Sequence, residues 1–190
     1  MEFTITVTGT RPLLMHNARL SDPLDFYAKA MSKINNKRKK TEQDYEELAR
    51  LEFLGGIYHD AEFGPYLPGD NFQRFLFDSA TRRKLGQAVK RGVFISSEVN
   101  PLVYDGPRDL ESLWADENFR HRQSAKVQAR RVIRTRPMFR QWTAQAEGVL
   151  DGEELDFDDL RSLAERGGSI TGFGDWRPRF GQCVVTVEKA

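Results

Sequence analysis

The sequence predicts an α+β fold with elements in the order β-α-β-β-α-β, an antiparallel sheet with helices on one face, and a helical insertion at 18–58. Three observations predict it. Both ends alternate apolar and polar residues with period two, in "EFTITVTG" (2–9) and "GQCVVTVEKA" (181–190). Two interior stretches carry apolar residues at helical spacing, one through Phe72, Phe75, Leu76 and Ala80 and the other across "DFDDLRSLAER" (156–166). Glycine and proline clusters separate these periodic runs, as in "GPYLPGD" (64–70).

Taken in order, residues 2–9 form a strand that Pro12 ends, and "LLMHN" continues as an extended apolar run. From Ala18 to Tyr58 the pattern turns helical. Pro23 is placed to start a helix after Asp22, and Thr41 with Asp44 forms a capping box for "TEQDYEELARLEFL", which Gly55 and Gly56 close. After "PGD", Asp70 or Asn71 caps the first core helix. "QAVKRGVFISSEV" (87–99) is expected as the second strand, and "NPLVYDGPRDLESLW" as a loop with a short helix. Residues 119–150 are extended and contain the third strand, "FRQWTAQAEGVL". The helix at 156–166 stops at Gly167 and Gly168, and the closing strand follows. This order is that of the ferredoxin-like and RRM-like folds, whose second sheet face is free for a partner.

Composition narrows the function classes. A chain of 190 residues predicts one domain over 1–190. The net charge of +1 points by itself to neither nucleic acid nor membrane. No apolar run approaches the roughly 20 residues of a bilayer span, and "MEFTITVTGT" reads as a strand rather than a signal peptide. The single cysteine, Cys183, excludes internal disulfides and cysteine-built metal sites, and fits a buried apolar role in a reducing cytoplasm. "HD" at 59–60 lacks the further ligands of a closed metal site, and there is no phosphate-binding G-x-x-x-x-G-K-[ST] loop. No cofactor is expected.

Charge is sorted more sharply than its sum. Between Asn118 and Ala146 there is no acid, while Arg120, Arg122, Lys126, Arg130, Arg131, Arg134, Arg136 and Arg140 fall there. In "RRVIRTRPMFRQW" arginines interleave with Phe139 and Trp142, a mixture that grips phosphates and offers faces for bases to stack on. The alternative is a solvated strand face paired with the acidic segment 147–159.

Three stretches, in order, resemble the RAMP superfamily of CRISPR proteins, above all its backbone-subunit branch. "ITVTGTRPLLMH" (5–16) resembles the first strand and the run after it. "GPYLPGDNFQRFLFDSA" (64–80) resembles the proline-glycine turn and first helix, and "ITGFGDWRPRFGQCVV" (170–185) the C-terminal glycine-rich loop and last strand. The resemblance implies an RRM-like core, RNA held by backbone contacts, side-by-side self-association, CRISPR effector subunits as partners, and an association with phages or other mobile elements. It also implies that the first helix presents its N-terminus, with Asn71, to a groove. Across that groove Gly172, Gly174 and Gly181 would let backbone approach a phosphate, Arg177 and Arg179 would supply charge, and Trp176 a stacking face. The chain departs from the family pattern at Gln73 and Arg74, where lysine and glycine are usual, and at Phe77 and Gln182, where arginines are usual.

The expected function is a non-catalytic single-stranded nucleic-acid-binding protein, RNA ahead of DNA, in the cytoplasm. The groove would be lined by Asn71, the 172–181 loop, and Arg130, Arg131, Arg134, Arg136 and Arg140. One alternative is a protein–protein module that copies a CRISPR backbone subunit and inserts into a partner assembly. Another is a metal-independent endoribonuclease, for which His16 and His59 are the histidines the fold could bring to the groove. Asp22, Asp25 and Asp60 occupy the interval where target-cleaving relatives carry an aspartate, in no pattern that transfers the role.

Overall fold

The structure, a computed structural model, describes residues 1–127 and 130–190, with side chains described outside 125–130. It is mixed α+β with antiparallel sheets. The chain runs β1 (Glu2–Gly9), β2 (Leu13–Leu14), α1 (Phe26–Asn35), α2 (Glu42–Gly56), β3 (His59–Asp60), β4 (Gly64–Pro68) and α3 (Gly69–Thr81). It continues through α4 (Gly86–Gly92), β5 (Val93–Ile95), β6 (Val99–Pro101), α5 (Leu110–Ala115), β7 (Arg120–Val127) and β8 (Arg130–Phe139). β9 (Thr143–Leu150), α6 (Phe157–Ile170) and β10 (Cys183–Lys189) complete it.

The largest sheet has the order β10-β1-β9-β5, with every neighbouring pair antiparallel. Alternation puts Phe3, Ile5, Val7, Ala144, Ala146, Val185 and Val187 on a buried face. α3 covers that face with Phe72, Phe75 and Leu76, and α6 with Leu160, Leu163 and Ala164. By the same register the opposite face carries Glu2, Glu147 and Glu188 with threonines and the exposed Phe94, Val149 and Val184, and its strands place no lysine or arginine there. Two smaller three-stranded sheets, β2-β8-β7 and β3-β4-β6, flank it. The 18–58 region holds α1 and α2, and α2 lies along β8.

Several expected boundaries move. The helix expected after Asp22 begins at Phe26, because Asp25 is the residue whose carboxylate accepts from the Tyr27 and Ala28 amides. The Thr41–Asp44 capping box is present. α3 starts at Gly69 with neither Asp70 nor Asn71 as a side-chain cap; the Gly69 amide instead donates to the Glu98 carbonyl at 3.0 Å. Much of the expected 87–99 strand is helix α4, since "QAVKRG" consists largely of good helix formers and needs only Val89 to face inward. The strand proper is Val93–Ile95. Phe139 ends β8 and does not open the third strand, which starts at Thr143.

Gly167 and Gly168 do not end the last helix, which runs to Ile170. They thin it where it presses on its neighbours. A Cβ on Gly168 would stand 2.2 Å from the Cys183 carbonyl oxygen of β10, and one on Gly167 2.2 Å from Ser79 Oγ of α3. The first obstacle is backbone and the second a side chain. Gly168→Ala is therefore expected to destabilise by about 1–3 kcal/mol despite the gain in helix propensity. Gly167→Ala should cost less, and denaturant titration of the two variants checks the ranking. Cys183 is buried, which pushes its thiol pKa up to about 12, so it should resist alkylation near neutral pH until the protein unfolds.

Candidate functional site

The glycine-rich loop 171–181 is fastened to the core through Phe173. Its ring stacks on Phe75 of α3 with centroids 4.4 Å apart and meets Phe72 edge-on at 5.0 Å. The loop backbone bonds to the opening segment: the Asp175 amide donates to the Leu14 carbonyl at 2.8 Å and the Gly181 amide to the Pro12 carbonyl at 2.8 Å. Gly172, Gly174 and Gly181 all have positive φ, near +70°. The space their missing side chains leave is filled by the chain itself, with Leu14 O 2.2 Å from a Cβ on Gly174 and Phe173 O 1.8 Å from one on Gly181. Side chains at these positions would collide with the chain's own backbone, so the glycines are required for the loop to take this path.

So seated, the loop faces the first turns of α3 across a cleft of about 140 Å³. His16, Tyr58, Asn71, Arg74 and Arg177 line it, over a floor of Met15, Leu67 and Phe173. Asp78 Oδ2 accepts from Arg74 Nε at 2.9 Å and from Arg177 Nη2 at 3.3 Å. One carboxylate thus holds two guanidiniums side by side and leaves a net positive charge. Partial loss of hydration, and next the Arg136 guanidinium, lower the His16 pKa below its ordinary value.

Behind the cleft lies a buried ion-pair node. Glu52 of α2 accepts from Arg136 Nη1 at 2.7 Å, from Arg134 Nη1 at 3.2 Å and from the Thr135 amide at 2.8 Å. Arg136 Nε donates to Asp175 Oδ2 at 2.8 Å. The Arg136 side chain is only 7% exposed. Of the arginines expected to line the groove, Arg136 is thus internal, and Arg134 is half-buried and paired.

Beside the node is an aromatic cluster. His121 of β7 lies 5.5 Å from Trp176 and 5.0 Å from Phe180, centroid to centroid, all three half-buried. The Arg179 guanidinium stands 5.8 Å from the Phe180 ring centre, and His121 Nε2 is 3.0 Å from Gln123 Oε1. Trp176 holds a left-handed backbone conformation, φ +54°, and its amide donates to Asp175 Oδ1.

The remaining expected residues scatter. Arg131 and Arg140 are exposed, on β8 and in the turn that follows it, and neither lines the cleft. The Arg130 side chain lies outside the described residues. His59 does not join His16: it sits on β3 with Nε2 2.7 Å from the Arg108 carbonyl oxygen. Asp22, Asp25 and Asp60 accept from nearby backbone amides in turns and caps. Among the described residues no group of three or more His, Cys, Asp or Glu could hold a metal ion, and no helix is long and apolar enough to cross a membrane. Sequence reasoning missed Glu52, Tyr58, Arg74, Asp78 and Phe180. Only Glu52 carried a signal, an acid inside the apolar run "LEFL". No protein-family model and no curated protein matches the chain.

Removing Glu52 strands the buried Arg136 with half its partners. Glu52→Ala should cost about 3–5 kcal/mol in denaturant titration. His16 gives a pH signature of definite sign. Its pKa is lowered in the fold, so the unfolded chain takes up the proton first, and stability is lost as pH falls below 6.5. The loss levels off once the folded pKa is passed. His16→Gln should lack this component, seen by comparing denaturation midpoints of the two proteins across that range.

Proposed function

We propose that the chain is a non-catalytic single-stranded nucleic-acid-binding protein, RNA ahead of DNA, on a ferredoxin-like core of RAMP type. Supporting the fold reading is the strand order β10-β1-β9-β5 with α3 and α6 on one face, which matches the split β-α-β arrangement of that fold. The observation that carries the function is the composition of one short loop. Arg177 joins Arg74 in a cationic pair at the cleft, while the adjacent Trp176 stands with Phe180 and His121 as an aromatic surface flanked by Arg179.

A phosphate bridges the paired guanidiniums of Arg74 and Arg177, and a neighbouring base stacks on the Trp176–Phe180 side. Such contacts read backbone and π-faces, so binding is weakly sequence-dependent and falls steeply with salt. The open sheet face takes no part, because Glu2, Glu147 and Glu188 would oppose phosphates there. The withdrawal of Arg136 into the node favours the second reading, a protein–protein module that inserts into a partner assembly.

Fluorescence anisotropy with a labelled single-stranded oligonucleotide separates them. Arg177→Glu combined with Arg179→Glu should abolish binding, and Arg74→Gln should lower the slope of log affinity against log salt by about one. Trp176→Ala should weaken binding roughly tenfold, the loss of one stacked base. No binding by the wild-type chain, or affinity unchanged in all three variants, would leave the protein–protein reading.

A further inference from the structure

We infer that the trough between α2 and the β7–β8 hairpin is a two-fold interface for a second copy of this chain, each copy seating the exposed first half of its α2 in the trough of the other. The trough has a volume of about 860 Å³ and lies apart from the cleft described above. Its α2 wall presents Glu46 and Glu47, and its hairpin wall presents Arg120 and Arg122, with the half-buried Trp114 between them.

The charges are unevenly used within the chain. Arg50 is held by Glu111 at 2.7 Å and Arg120 by Glu117 at 3.3 Å. Glu46, Glu47 and Arg122 have no ionic partner among the described residues. Arg120 Nε, above the Trp114 ring, is buried without an acceptor, a deficit that an arriving carboxylate relieves once the guanidinium turns toward it.

The occupant follows from the pattern of charge. Arg50 also lines the α2 wall and Glu117 the opposite one, so the walls are net acidic and net basic. Such a trough is self-complementary under a two-fold rotation, which brings Glu46 and Glu47 of each copy to the arginines of the other. It suits a nucleic acid poorly, since phosphates laid against Arg122 would also face Glu46 and Glu47. The chain itself supplies a convex acidic element to fill it. The first turns of α2 stand largely clear of the body, while Leu51 to Gly56 are buried, and Tyr45 on the protruding part is 53% exposed. An exposed tyrosine on the ridge and a half-buried tryptophan in the trough are residue types that anchor interfaces.

Sedimentation equilibrium on the full-length, nuclease-treated protein tests this, with nucleic acid removed so that it cannot bridge copies. The wild type should form a reversible dimer. Glu46→Lys with Glu47→Lys, or Arg122→Glu alone, should raise its dissociation constant about tenfold or more, because like charges then meet twice across the axis. Mixed together, these two variants should form a heterodimer, since one then presents two basic walls and the other two acidic ones. All three sites are on the surface, and circular dichroism verifies that each variant is folded. A wild type that stays monomeric over the accessible concentration range overturns the inference, as does a dimer indifferent to both variants or a mixture that forms no heterodimer.

Discussion

Arg136 joins three parts of the chain that are distant in sequence: the insertion helix through Glu52, the hairpin on which it sits, and the C-terminal loop through Asp175. A guanidinium suits this position because its planar fork offers donors in two directions and keeps its charge at any working pH. Burying such a group is costly in solvation, and paired carboxylates return that cost only where the geometry is good. What the node gains is placement. With Asp175 held from the side and Phe173 held from below, the loop has one position over α3, and the cleft exists because of it.

This use of charge divides the surface. Arg136 serves the interior and the half-buried Arg134 shares its carboxylate, whereas Arg74 of α3 and Arg177 of the loop stay at the cleft. Asp78 keeps Arg74 and Arg177 adjacent without cancelling both, which is the arrangement a single phosphate can bridge. The trough on the far side of the hairpin is dipolar instead, with Glu46 and Glu47 across from Arg122. One basic hairpin therefore separates two surfaces of different electrostatic character, and the 18–58 insertion contributes to both, through Glu52 behind one and Glu46 beside the other.

The chain's ends and its two core helices were legible because period and burial coincide there: Phe3, Ile5 and Val7 are buried with period two in β1, and Phe72, Phe75 and Leu76 at helical spacing in α3. Boundaries were less so. Gly167 and Gly168 read as a stop signal locally, yet their role is contact with Ser79 and Cys183, which no local pattern contains. The three loop glycines were legible as glycines, but the backbone they pack against, Leu14 and Phe173 among it, was not. Arg134 and Arg136 looked like part of a solvent-facing basic strip because their partners lie some eighty residues upstream and forty downstream. An ion pair of that separation leaves no spacing to read. His121 and Phe180 meet for the same reason, from β7 and the loop after α6.

The proposed RNA path runs along the face shared by the loop, α3 and β7, and hydrogen exchange with and without a short single-stranded RNA reads that face segment by segment. Protection is expected to rise in the segments around His16, Asn71–Asp78, His121–Gln123 and Gly172–Gly181, while amides of the open sheet face exchange as before. Protection appearing instead on β1, β9 and β10, or no change anywhere at saturating RNA, would contradict it.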